Sequence, residues 1–170
     1  PLALFEFGDA QPTETKLPVV ASQLQPSGWN RSGLDDQDKR LAGTSSGNPN
    51  GLLDGDGTKL ELRFTVTPSP ETALNVDSLS FWGNAGAYGE TSLTLRYQVA
   101  EHPPVDVGSV ELQNLSVPSV SGAFYHFDLS DLAGVDKPVS FVLAADRNGQ
   151  RAIVKIDDLR VDGSVVDRQQ

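Results

Sequence analysis

The chain has 170 residues and a formal net charge of −10, because 23 aspartate and glutamate residues outnumber 13 lysine and arginine residues. An acidic surface repels nucleic-acid phosphates and anionic lipids, which excludes both as partners, and strongly anionic polysaccharides would need a local basic patch. Cysteine is absent, so disulfides and cysteine-based zinc sites are excluded. Apolar runs stay too short for membrane insertion. The length suits one domain over residues 1–170.

Alternating apolar and polar residues predict β-strands along most of the chain. The alternation is complete in 59–66, where Leu60, Leu62, Phe64 and Val66 are predicted to face a core. Strands are predicted over 2–7, 59–66, 76–82, 92–99, 110–117, 124–129, 139–145 and 152–161. About eight short strands at this spacing indicate an all-β fold, a two-sheet antiparallel β-sandwich.

Turns and loops are predicted between these strands. Only 130–134 suggests a helical turn, with Ser130 as its cap and Gly134 at its end. The glycine-rich segments 25–57 and 83–89 are predicted loops, which in a sandwich lie at the ends of the sheets. Within the first, 54–57 (DGDG) is similar to half of a calcium-binding loop, but Asp-Gly pairs are common turn residues, so a turn is favoured.

Five short motifs resemble those of one protein family. They are 4–7 (LFEF), 79–82 (LSFW), 94–97 (TLRY), 127–130 (FDLS) and 156–161 (IDDLRV). With these motifs in this order, the chain resembles the jelly-roll carbohydrate-binding modules and the related exported bacterial domains found beside glycoside hydrolases and cell-surface anchors. The resemblance implies a sandwich of jelly-roll type in which the first and last strands are neighbours.

The same resemblance implies a structural calcium ion where the two terminal strands meet. Carried over to this sequence, it makes Glu6 and Asp157 ligands and Asp158 a further candidate. Carboxylates and backbone carbonyls are the hard oxygen ligands that calcium takes, and a metal there would hold a fraying terminus in place. The alternative is that these side chains lie in water at the rim of a sheet.

The resemblance also implies a sugar-binding site. Sugar rings present apolar C–H faces, so binding modules place aromatic rings against them and use polar side chains for the hydroxyl groups. The predicted binding residues are the aromatic Trp29, Trp82 and Tyr88 and the polar Arg31, Asn84 and Glu90. They fall in or beside the two glycine-rich loops, so Trp82 and Tyr88 are predicted to form a platform at a loop end. The alternative is that these rings fill the core.

Trp82 is predicted to lie outside the core or at its rim. It follows Phe81, and only one ring of such a pair faces inward in a strand. Leu79 shares a face with Phe81, which favours Phe81 as the inner ring. Asp77 falls on the same face and interrupts the apolar row, so the support from this alternation is partial.

Catalysis is not predicted. In 124–129, Tyr125 and Phe127 match a core face, whereas Phe124, His126 and Asp128 share the opposite face. A histidine and a tyrosine can serve a polysaccharide lyase, but that reaction needs a cationic clamp for the uronate, and the net charge of the chain argues against one. Motifs for a serine nucleophile or for a phosphate-binding loop are absent.

The sequence therefore predicts a non-catalytic carbohydrate-binding module of a secreted bacterial polysaccharide-acting protein, with calcium as its structural cofactor. Its expected partner is a polysaccharide or oligosaccharide, and the domain is expected to be a monomer. Missing methionine at position 1 suggests a mature or excised fragment, and the class of domain places it outside the cell or at the cell surface. The alternative is a structural or adhesive cell-surface domain of the same fold.

Overall fold

The computed structural model describes residues 2–5, 19–21, 53–57, 60–86, 89–115 and 122–168. In these ranges the regular structure is β-strand, with no α-helix, and no helix there has the length and apolar character needed to cross a membrane. The strands are β1 (Ala3–Phe5), β2 (Val19–Ala21), β3 (Leu53–Gly57), β4 (Leu60–Pro68), β5 (Thr72–Gly86), β6 (Ser92–Val99), β7 (Val105–Glu111), β8 (Asn114–Leu115), β9 (Ala123–Asp128), β10 (Val139–Asp146) and β11 (Ala152–Asp167).

The strands form two sheets. Sheet A has the order β1-β11-β5-β9, with β3 beside the start of β11 and β8 beside the end of β5. Sheet B has the order β2-β4-β10-β6-β7. All pairings are antiparallel except the two-residue pairing of β5 with β8. In each sheet a late strand lies between two earlier ones, β11 between β1 and β5 and β10 between β4 and β6, as in a jelly roll. The predicted two-sheet antiparallel sandwich of jelly-roll type is confirmed.

The core lies between the two sheets. The predicted inward face of β4 is confirmed, since Leu60, Leu62, Phe64 and Val66 are each at most 2% exposed. Phe64 stacks on Phe141 of β10, with ring centroids 5.3 Å apart. Buried aromatic pairs with this offset geometry stabilise beyond the area that they bury. The alternation of residue types is therefore what places one face of each sheet in the core.

Three local predictions differ from the structure. The segment 54–57, predicted to be a turn, belongs to β3, which pairs with the start of β11 over Leu53–Gly57. The predicted strand 110–117 is divided, because β7 ends at Glu111 and β8 begins at Asn114. The residues 130–134 form a turn rather than a helix, closed by a 2.9 Å hydrogen bond from the Leu132 N–H to the Leu129 carbonyl. Backbone pairing between distant strands overrides local turn propensity at the first of these positions.

A β-bulge explains why Asp77 interrupts the apolar row of β5. The pairing of β5 with β11 passes from Val76 to Ser78 and leaves Asp77 as an extra residue. An extra residue of this kind restarts the alternation of faces. Val76 and Leu79 therefore both face the core, although they are three positions apart, and Asp77 is exposed.

The first and last strands are neighbours, as the family resemblance implies. β1 pairs with β11 so that Ala3 lies opposite Val161 and Phe5 lies opposite Leu159. The buried side chains of Ala3, Leu159 and Val161 anchor this edge of sheet A to the core. Pairing and burial together hold a chain terminus that would otherwise fray.

Candidate functional site

Trp82 lies within sheet A and not at the end of a strand. β5 continues to Gly86, four residues beyond Trp82. Phe81 is fully buried and Trp82 is half-buried, so the prediction that Phe81 faces inward and Trp82 outward is confirmed. The indole therefore lies on the solvent side of sheet A. We call this surface, around the side chains of Trp82 and Phe124, the outer face.

We call Trp82 and Phe124, which occupy opposite positions on two paired strands, the aromatic pair. Phe124 of β9 lies directly opposite Trp82 of β5, and such partners share one face with Cβ atoms about 4.5–5.5 Å apart. Phe124 is 72% exposed, whereas its neighbours Tyr125 and Phe127 pack against the core. A single exposed apolar side chain is common on protein surfaces, so the position of Phe124 opposite Trp82 is what marks a candidate binding patch. The sequence predicts that Phe124 faces outward, but Phe124 is not among the predicted sugar-binding residues. Its outward orientation is the sequence signal that could have added it to them.

Gly122 fixes the position of the Trp82 ring. A Cβ atom at Gly122 would lie 2.6 Å from Cζ2 of the indole and 2.6 Å from the carbonyl oxygen of Gly83. Real Cβ atoms do not approach so closely, so only glycine lets the chain pass against the indole just before β9. The ring is thereby supported from one side, and its other surface contributes to the outer face.

Polar side chains occupy the next row of the outer face. Ser80 of β5 lies between His126 of β9 and Arg160 of β11, which are its partners in the two pairings. His126 and Arg160 are exposed. Hydroxyl, imidazole and guanidinium groups donate and accept hydrogen bonds of the kind that sugar hydroxyls make. The aromatic pair therefore has hydrogen-bonding groups on one side, about one strand repeat of 7 Å away.

Two acidic residues flank this row, and each has a fixed partner. Arg160 donates to both carboxylate oxygens of Asp162, from Nη2 at 2.7 Å and from Nε at 2.9 Å. This hydrogen bond and the opposite charge raise the pKa of the Arg160 guanidinium. The Ser130 backbone N–H, 2.9 Å from Oδ1 of Asp128, and the Ser130 hydroxyl lower the pKa of the Asp128 carboxyl. Asp128 is therefore anionic at neutral pH.

A second bulge places Asp157 beside Trp82. The two residues lie directly opposite each other. The next pair along the strands is Arg160 of β11 with Ser80 of β5, so two residues of β11 lie opposite one residue of β5. Asp158 lies in the bulge with φ 50°, a conformation that few non-glycine residues adopt. Its N–H donates a 2.8 Å hydrogen bond to Oδ1 of Asp157. Because of the bulge, both Asp157 and Arg160 extend to the outer face.

The predicted calcium ligands are only partly within the described residues. Asp157 and Asp158 lie at the bulge, close to the edge where β1 pairs with β11, and Glu6 is outside the described residues. Within the described ranges, three or more metal-binding side chains do not come together at one point. The calcium site stays a prediction.

The other predicted sugar-binding residues do not join Trp82 on the exposed surface. Asn84 is fully buried in β5, and its role in sugar binding stays a prediction. Glu90 is exposed just before β6, where its carbonyl accepts a hydrogen bond from Nε of Arg147. The remaining predicted residues lie outside the described residues, namely Trp29, Arg31 and Tyr88.

A cavity of about 210 Å³ lies between β7 and the end of β9. Its lining residues include Tyr97, Asp106, Asp128 and Asp131. Asp106 is 3.7 Å from the guanidinium of Arg96. One half-buried ring and several carboxylates are a poor match for the apolar face of a sugar. The outer face of sheet A is therefore the stronger candidate site.

Comparison with known proteins found similarity among solved structures only; no family model and no curated protein matches the chain. TmCBM61 in complex with β-1,4-galactotriose has a TM-score of 0.42 and 10% identity over 94% of this chain and 92% of that chain. A carbohydrate-binding module from the β-sandwich superfamily, from work on promiscuous specificity, has a TM-score of 0.38 and 9% identity over 94% and 84%. The enzymatically active domain of tailspike protein 4 of bacteriophage CBA120 has a TM-score of 0.33 and 12% identity over 89% and 20%.

Proposed function

We propose that this domain is a non-catalytic carbohydrate-binding module and that sugar binds to the outer face of sheet A. The observation that carries the proposal is the aromatic pair of Trp82 and Phe124, one ring supported by Gly122 and the other 72% exposed. Aromatic rings of this kind stack on the C–H faces of sugars. Ser80, His126 and Arg160 supply hydrogen-bonding groups in the adjacent row.

The shape of the face suits a short stretch of a polysaccharide. Trp82 and Phe124 are neighbours across the strands, so their two positions define an apolar strip that runs perpendicular to the strands. The polar row runs parallel to the strip. A sugar chain lying along the strip would place its C–H faces on the rings and its hydroxyl edge toward the polar row. The rings and the polar row serve binding in this arrangement, and none of these groups is assigned to bond cleavage.

We also propose that the domain belongs to a secreted bacterial protein that acts on polysaccharides, and that it binds as a monomer. A binding module raises the local concentration of a partner enzyme on an insoluble polymer, which is an effective-concentration effect and needs no further contact. In this setting the domain would be exported with its partner.

Affinity gel electrophoresis tests the proposed function. Native gels that contain β-1,4-galactan, xylan, mannan or β-glucan should retard the domain in at least one case, relative to a gel without polysaccharide. Retardation by none of a wide set of glycans would contradict the proposal and would favour the structural or adhesive role. Release of reducing ends or unsaturated products from any polymer would instead identify an enzyme.

A structural calcium ion held by Glu6, Asp157 and Asp158 is the remaining part of the proposal. The register that sets Phe5 opposite Leu159 supports it, because the end of β1 then lies beside the bulge that contains Asp158. The oxygen ligands offered by these side chains suit calcium. When bound, the ion would join the terminal strands of sheet A and neutralise part of the acidic charge there.

Chelation is expected to lower the melting temperature. A ligand at about one hundred times its dissociation constant stabilises a protein by about 2.7 kcal/mol, which corresponds to roughly 5–10 °C for a domain of this size. Differential scanning fluorimetry with calcium and with EGTA measures the difference. Asp157→Asn should lower the melting temperature in calcium and remove most of the response to EGTA. A midpoint that EGTA leaves unchanged in the unaltered domain would contradict the calcium site.

A further inference from the structure

We propose that the outer face of sheet A selects uncharged glycans and rejects carboxylated ones, with Arg160 acting as a hydrogen-bond donor that Asp162 orients and neutralises. The inference rests on the proposed function and specifies the class of sugar that the same site accepts. It depends on the geometry of one ion pair and on the charges around it.

The ion pair fixes the guanidinium within the plane of the outer face. Arg160 and Asp162 are two residues apart on β11, so their side chains emerge on the same side of the sheet. Two of the nitrogens of Arg160 donate to the one carboxylate. Such a fork-like pairing fixes orientation as well as charge. A guanidinium carries five N–H donors, and this pair uses the Nε–H and one Nη2–H, which leaves donors for a sugar.

The same pair removes the cation that an acidic sugar would need. Uronates and sulfates are recognised by arginine through a two-pronged contact with its guanidinium. In Arg160 the edge formed by Nε and Nη2 already makes that contact with Asp162, and the side chains are 46% and 31% exposed. An anionic ligand would have to displace the carboxylate of Asp162 or bind beside it. Hydroxyl groups meet no such obstacle.

The surrounding charges are mostly acidic. Asp157 lies beside Trp82, Asp162 is bound to Arg160, and Asp128 lies on the same face of β9. Two cationic side chains of β11, Lys155 and Arg160, lie on the same face of the sheet as these three carboxylates. Among the described residues of this face the balance of charge is thus negative, in the same sense as the net charge of −10. Placing like charges together is a means of rejecting the wrong partner.

The test uses one polymer in two charge states. The neutral galactan, mannan or β-glucan that retards the domain is compared with the same polymer after its primary alcohols have been oxidised to carboxylates. For xylan, which has no primary alcohols, the comparison uses xylan that carries glucuronic acid side groups. Affinity for the oxidised polymer should fall about tenfold or more at low salt, and 0.5 M NaCl should recover part of the loss, since salt screens exposed charges. Equal or tighter binding of the oxidised polymer would overturn the inference.

Asp162→Asn tests the ion pair directly. The variant frees the guanidinium and removes one negative charge, so binding of the neutral polymer should weaken about threefold to fivefold while binding of the oxidised polymer should strengthen. Arg160→Lys is the matched control, because it keeps the charge but loses the planar fork, and it should weaken binding of the neutral polymer. An unchanged ratio of the two affinities in Asp162→Asn would contradict the assignment.

The result separates this inference from the proposed function. If the unaltered domain binds neither polymer, the proposed function fails, and the inference fails with it. If the domain binds the neutral polymer and prefers the oxidised form, the proposed function stands and only the selectivity for uncharged glycans is wrong. Melting temperatures close to that of the unaltered domain are expected for both variants, because an exposed ion pair contributes little to stability.

Discussion

Replacing Trp82 with alanine is expected to weaken binding of the recognised polysaccharide at least thirtyfold. Central aromatic residues of binding sites cost about 2 kcal/mol or more when truncated, and each 1.4 kcal/mol is a factor of about ten in the dissociation constant. The ring is held against Gly122 before any ligand arrives, so little conformational freedom is lost on binding. Isothermal titration calorimetry with an oligosaccharide of the retarding polymer measures the change.

Two companion variants define the site. Phe124→Ala should weaken binding less than Trp82→Ala, by about fivefold to tenfold, because the smaller ring offers less stacking surface. Val142→Ala, on the solvent side of sheet B, should leave the affinity unchanged, since β10 lies in the opposite sheet. Wild-type affinity in Trp82→Ala would place the sugar elsewhere on the domain.

Phe141→Ala is expected to destabilise the domain by about 3–5 kcal/mol without changing the chemistry of the outer face. Phe141 is fully buried in β10, with its ring stacked on Phe64 at 5.3 Å. Removing a buried ring loses its transfer free energy and leaves a cavity. Total stabilities of 5–15 kcal/mol are usual, so the loss is a large fraction of the whole. Urea denaturation followed by circular dichroism gives the free energy of unfolding.

The controls for this variant separate packing from binding. Phe141→Leu keeps most of the volume and should cost less, about 1–2 kcal/mol, which keeps the prediction measurable if the alanine variant does not fold. Ser140→Ala changes the neighbouring side chain, which bonds Thr65 on the solvent side of sheet B, and should cost under about 1 kcal/mol. A cost for Phe141→Ala as small as that for Ser140→Ala would contradict the described core.

The sequence predicts the sandwich well because one face of each main strand is buried. The segment 59–66 alternates without interruption, and its apolar residues are the ones that fill the core. In β5 the alternation is interrupted at Asp77, and no local pattern distinguishes a bulge from a weak strand. Only the pairing with β11 reveals that Asp77 is the extra residue.

The candidate site is less accessible to sequence reasoning. The outward orientation of Trp82 and of Phe124 follows from their buried neighbours, but their adjacency depends on the register between β5 and β9, which are separated in the chain by β6, β7 and β8. Register between distant strands is set by tertiary packing. The predicted loop-end platform of Trp82 and Tyr88 relies on proximity along the chain, and Tyr88 lies outside the described residues.

The most direct test of the outer face is fluorescence from Trp82 alone. The chain has two tryptophans, so Trp29→Phe leaves Trp82 as the one indole in the domain. Titration of this variant with the bound oligosaccharide should shift the emission to shorter wavelength and protect the indole from acrylamide, with a midpoint equal to the dissociation constant from calorimetry. Calorimetric binding without any change in emission or quenching would contradict the assignment of the sugar to the face formed by Trp82 and Phe124.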